Sequence, residues 1–113
     1  MQFMTLFRRD TERFADADFA PRLEEEAERA RALYAAGFIR QVWQRGDVGG
    51  ACLLAEADSE EAVRATLATL PLVKADMLEI VAIIPLKPYR GFGPRAWRSR
   101  KQNKIPRSRN NGN

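Results

Sequence analysis

At 113 residues the chain has room for one domain, and its net charge of +4 averages two unlike parts. Residues 1–86 carry ten Lys/Arg against fifteen Asp/Glu, a net −5, whereas residues 87–113 carry nine Lys/Arg and no acid, a net +9. One cysteine, Cys52, excludes an internal disulfide, the lack of His nearly excludes a zinc site of the usual His/Cys ligands, and no apolar run approaches the ~20 residues that span a bilayer.

The start, Met1 to Arg9, lacks a secretory signal's long apolar centre, so a cytoplasmic protein is expected. Phe3 to Phe7 is rich in β-favouring residues and predicts a first strand, with Phe3, Thr5 and Phe7 on one face and Met4 and Leu6 on the other. Both faces are largely apolar, which predicts cover on both sides. Asp10 to Asp18 is polar and reads as a connection.

Asp18 is placed to cap the next helix, with Pro21 in its first turn, where a missing N–H does little harm. Leu23, Ala27, Ala30 and Tyr34 recur at i, i+4, i+7 and i+11 and predict its buried stripe. Glu25/Arg29 and Glu28/Arg31 can pair on the exposed side, and Gly37 is the expected left-handed C-cap. Phe38 to Arg45 predicts a second strand, Ile39, Gln41 and Trp43 sharing one side. Gly46 to Gly50 has hairpin composition, and Ala51 to Ala57 predicts the antiparallel return.

Asp58 is the expected N-cap of a second helix, with Glu61 completing a capping box and Val63, Leu67 and Leu70 as its stripe. Pro71 is expected to stop that helix, and Lys74 to Asp76 to bend into a fourth strand, Met77 to Ile84. The order β-α-β-β-α-β predicts an α+β, ferredoxin-like domain over residues 1–88, an antiparallel four-stranded sheet with two helices on one face. The other, apolar face invites a second copy, giving a dimeric α/β barrel. A unit of about 85 residues buries only roughly two-thirds of its unfolded surface, so a partner's cover would help. Residues 89–113, rich in Gly, Pro and cations, have the composition of a flexible basic tail.

Gly37 to Trp43, the Asp58-Ser59-Glu60-Glu61-Ala62 helix start and Thr66 to Leu72 with its Leu-Pro-Leu resemble the muconolactone isomerase family, as does the strand from Met77 that ends in a basic residue and Pro88. The similarity spans about residues 2–88. It implies a dimeric α/β barrel, open to further assembly, with pockets between sheet and helices and no cofactor. The family reaction moves a double bond within an unsaturated lactone from aromatic-ring breakdown, which needs a base, a stabiliser for the dienolate and a proton donor. A carboxylate with a raised pKa can serve as base and acid in turn. The positions that match are Glu26, Glu28, Arg40 and Trp43. Met4 and Leu6 depart from the pattern, which puts ionisable groups on the first strand, and Lys87 stands where His is common.

Glu79, an acid in an apolar strand, is either a proton-transfer carboxylate or a surface group paired with Arg40 or Arg45. Arg40 could hold a carboxylate or dienolate oxygen, or pair with a helix glutamate. Glu26 and Glu28 are further catalytic candidates or a solvated helix face. Trp43, with Phe3 and Thr5, could wall a substrate pocket, or Trp43 could fill the core or a dimer interface. Cys52 reads as a small buried hydrophobe. The leading expectation is a cofactor-independent isomerase acting on a small unsaturated lactone or related carbonyl compound. The alternatives are a non-catalytic barrel that binds a small metabolite, and an interaction protein whose tail meets nucleic acid or an acidic partner. No metal and no membrane are expected among its partners.

Overall fold

The computed structural model describes residues 1–92. The expected 89–113 tail therefore lies outside the described residues beyond Phe92. The elements are β1 (Gln2–Arg9), α1 (Asp16–Phe19), a 3-10 turn (Ala20–Arg22), α2 (Leu23–Ala35), β2 (Ile39–Gln44), β3 (Ala51–Glu56), α3 (Glu60–Leu67), α4 (Pro71–Lys74) and β4 (Leu78–Pro85). The strands lie in the order β2-β3-β1-β4 with every neighbouring pair antiparallel, the split βαβ arrangement of the ferredoxin-like fold. No helix among the described residues is long and apolar enough to cross a membrane.

One face of the sheet carries the core. Phe3, Thr5 and Phe7 alternate inward on β1, opposite Ala55 and Leu53 of β3, and Phe19, Leu33, Val63, Leu67, Leu70 and Leu72 close over them. Thr5 is the buried polar exception, and its hydroxyl donates to the Leu53 carbonyl at 3.2 Å, so its burial leaves no donor unpaired.

Two bulges break the period-2 pattern and correct the sequence reading. In β2, Ile39 faces Ala55 but Gln41 faces Leu54, leaving Arg40 as the extra residue. Ile39 thus enters the core, whereas Gln41 and Trp43 go to the opposite face rather than sharing Ile39's side. In β4, Ile80 pairs with Phe7 and Ala82 with Leu6, so Val81 is extra. Glu79, opposite Arg8, and Ile83, opposite Thr5, therefore sit on different faces, although unbroken alternation would put residues four apart on the same one.

The helices are also divided more finely than expected. Asp18 is not the N-cap of the long helix. Its carboxylate accepts from the Ala15 N–H at 2.8 Å within α1, and the 3-10 turn that holds Pro21 separates α1 from α2. The buried side of α2 is rotated from the one expected: Leu33 is buried, while Leu23 and Tyr34 are exposed. The face of α2 that carries Glu26, Ala27, Ala30 and Leu33 meets the sheet. The expected Glu25/Arg29 and Glu28/Arg31 pairs give way to Arg31–Glu24 at 3.0 Å and a bond from Arg29 to Thr69 at 3.0 Å.

Gly37 does end α2, at φ +88°, with the Phe38 N–H bonded to the Leu33 carbonyl and the Gly37 N–H to that of Tyr34, a Schellman closure. Ser59 rather than Asp58 caps α3, accepting from the Ala62 N–H at 3.1 Å. Pro71 begins the one-turn α4 rather than merely ending α3, because a proline at the first helical position loses no helical bond.

Candidate active site at the end of the first strand

β1 continues two residues past Phe7, and the same alternation that buries Phe3, Thr5 and Phe7 sends Arg9 to the helix side, opposite Leu78. The Arg9 N–H donates to the Gly49 carbonyl at 2.9 Å, which fastens the strand end to the β2–β3 hairpin. Gly50 is required there: at φ +153°, a methyl group would drive into the Phe7 carbonyl. The Arg9 guanidinium lies 4.8 Å above the centre of the Phe19 ring, which Phe14 meets edge-on at 6.2 Å. Among the described residues no carboxylate lies within salt-bridge distance of Arg9, so its donors are uncommitted.

The acid that approaches this cation is Glu26. Rotation of α2 turns it toward the sheet side, where one carboxylate oxygen accepts from the Leu72 N–H at 2.9 Å. That N–H is one of the free donors of α4's first turn, and Pro71 before it offers none, so Glu26 supplies a cap from a distant helix. Burial pushes the Glu26 pKa up, and the Leu72 N–H and the Arg9 charge pull it partly back. An open groove of about 360 Å³ is lined by Arg22, Glu25, Pro71, Lys74 and Ala75, with neither Glu26 nor Arg9 among its lining residues. A half-buried carboxylate that holds its proton more tightly than usual, near an arginine with free donors, can take a proton and stabilise the anion left behind.

The other residues singled out in the sequence do not gather here. Phe3 and Thr5 are core residues beneath the helices. Glu28 is exposed on α2. Glu79, Arg40 and Trp43 lie on the far face of the sheet: Glu79 bonds Arg8 at 3.1 Å, Arg40 approaches Glu56 at 3.9 Å, and Trp43 stands opposite Cys52. Cys52 is half-buried, with its thiol 3.1 Å from the Met4 sulfur. Arg9 is the residue the sequence reading missed. The signal was available, since extending the Phe3-Thr5-Phe7 alternation by one step assigns a charged residue to the buried face.

Three comparisons bear on these features. The family described as muconolactone delta-isomerase matches residues 1–91. No curated protein matches. Among solved structures, 5-chloro-2-hydroxyhydroquinone dehydrochlorinase (TftG) from Burkholderia phenoliruptrix AC1100, in complex with 2,5-dihydroxybenzoquinone, is 21% identical, with a TM-score of 0.51 over 80% of this chain and 96% of the other. At that identity the likeness speaks for the fold.

Proposed function

The chain belongs to the muconolactone delta-isomerase family, and from that premise we propose that it is a cofactor-independent isomerase that moves a double bond in a small unsaturated lactone or related carbonyl compound. The observation that carries the reading is the half-buried Glu26 carboxylate, bonded to the Leu72 N–H and with its pKa raised by burial, on the side of the sheet to which Arg9 also turns. Glu26 takes a proton from a carbon conjugated to the carbonyl, and the electron pair moves into a dienolate. Arg9 stabilises the oxygen that gains charge. Glu26 then returns the proton at the other end of the conjugated system, so the double bond shifts and the composition is unchanged. Phe19, holding the guanidinium over its ring, fixes the cation's position. The direct test follows the ultraviolet change on incubation with muconolactone. Turnover lost in Glu79→Gln but kept in Glu26→Gln moves the chemistry to the far face of the sheet; saturable binding without turnover favours a metabolite-binding barrel.

The same reading includes a homodimer built on that far face. Met4, Leu6, Leu54, Trp43 and Ile84 line it, and Trp43 and Ile84 remain 46% and 48% exposed. Such an apolar sheet face is what a second copy covers in a dimeric barrel. Light scattering at micromolar concentration is expected to give a dimer mass or a multiple of it. A Leu54→Arg variant, with a charge set between Met4 and Gln41, should run as a monomer that keeps its secondary structure. A wild-type monomer would sink this assembly.

A further inference from the structure

We infer that Arg13 is a positioning residue for Arg9, acting through the rings of Phe14 and Phe19 that lie between the two guanidinium groups. The inference rests on the reading of Arg9 as the group that stabilises the dienolate oxygen. The Arg13 guanidinium carbon lies 5.1 Å from the centre of the Phe14 ring, over its face. Phe14 meets Phe19 edge-on at 6.2 Å, and the Arg9 guanidinium carbon lies 4.8 Å over Phe19. Cation over face and ring edge against ring are the arrangements that the ring quadrupole favours.

The two ends are held differently. The Arg9 backbone is bonded to Gly49, and its stem passes so near that a methyl group on Gly49 would meet Cδ at 3.5 Å. Its head has no carboxylate partner among the described residues, so the Phe19 face is what orients it. Arg13 is clasped from two sides. Its Nε donates to one Asp10 carboxylate oxygen at 2.6 Å, and a terminal nitrogen donates to the carboxylate and to the backbone carbonyl of Asp76, each at 2.9 Å. The other Asp10 oxygen accepts from the Glu12 and Arg13 N–H groups at 3.2 and 3.1 Å, and the Asp10 N–H donates to the Met77 carbonyl at 3.0 Å.

The clasp thus ties the loop after β1 to the corner between α4 and β4, and Phe14, the next residue, rides on that loop against the core. Exposed ion pairs add little stability, and Arg13 is 57% exposed. What a planar fork between two carboxylates supplies is direction. Cutting it frees the Phe14 edge from Phe19 and lets the Arg9 head swing off the ring.

The test uses the full-length, nitrogen-15-labelled protein and follows the Arg9 Nε–Hε resonance, which the Phe19 ring current displaces. In Arg13→Ala and in Phe14→Leu it should move toward the position of an unstructured arginine. With muconolactone, kcat should fall by about 10- to 100-fold, the cost of a small misplacement, while KM holds, because Arg9 acts as charge develops. The denaturant midpoint of Arg13→Ala should match wild type. Arg64→Ala, which cuts the exposed pair with Glu60 on α3, should change none of these. An unmoved Arg9 resonance in both variants overturns the inference. So does a collapsed midpoint in Arg13→Ala, an equal response in Arg64→Ala, or wild-type kcat in Arg13→Ala when Arg9→Ala is inactive. If Arg9→Ala keeps full turnover, or wild type has none, the reading of the function fails instead, and the resonance alone decides whether Arg13 sets the cation.

Discussion

Replacing Glu26 by Gln should lower kcat/KM for the lactone by roughly 10²–10⁴-fold, the usual contribution of a positioned proton carrier, while leaving the protein folded. The two effects separate because Gln keeps an oxygen that can accept from the Leu72 N–H and so preserves the cap on α4. Stability should move the other way from activity. Burial raises the Glu26 pKa, so between its unfolded and folded values the native state holds more protons than the unfolded state. Wild-type stability therefore falls as pH rises through that window. At neutral pH the Gln variant should be as stable as wild type or more so, and the difference should vanish as acid protonates Glu26. Activity has the opposite dependence on acid: as a base, Glu26 must be ionised, so kcat/KM should fall as pH drops through its raised pKa. Activity that does not fall on acidification, or full activity in the Gln variant, would remove Glu26 from the reaction.

The largest stability effect is expected at Phe7. It is 1% exposed on a central strand, directly after the bulge in its pairing with β4 and one step inward from Arg9. Phe7→Ala deletes a ring from a close-packed interior and should cost about 3–5 kcal/mol. A small domain has a total on the order of 5–15 kcal/mol, so the variant should show a strongly lowered denaturant midpoint or no cooperative transition. Trp43→Ala is the contrast. Trp43 is 46% exposed on the far face, so its loss should leave the isolated subunit's core intact and weaken only association. A mild effect at Phe7 would mean that the core relaxes around the gap far more than its packing suggests.

Together these variants separate the sheet's two faces. The helix face supplies the core and, at its rim, Arg9, Phe19 and Glu26. The opposite face carries three of the residues that drew notice in the sequence, Glu79, Arg40 and Trp43, where both charges are met by surface partners. An acid in an apolar strand is conspicuous in a sequence. Its environment depends on which face the strand turns outward, and one bulge reverses that for every residue beyond it.

The sequence by itself determined the order of elements, the split βαβ topology, the face shared by Phe3, Thr5 and Phe7, and the left-handed end of α2 at Gly37. Each follows from short-range physics: side-chain period, a missing Cβ, a proline's fixed φ. Only the tertiary structure decided the bulges at Arg40 and Val81 and the phase of α2, because both are set by which backbone fits beside a neighbouring element. Leu23 and Tyr34 trace as plausible a helical stripe as Leu33 does; packing against the sheet chose Leu33 and carried Glu26 inward with it. The meeting of Glu26 with Leu72 across 46 residues, and its approach to Arg9, are properties of that packing, which local pattern does not encode.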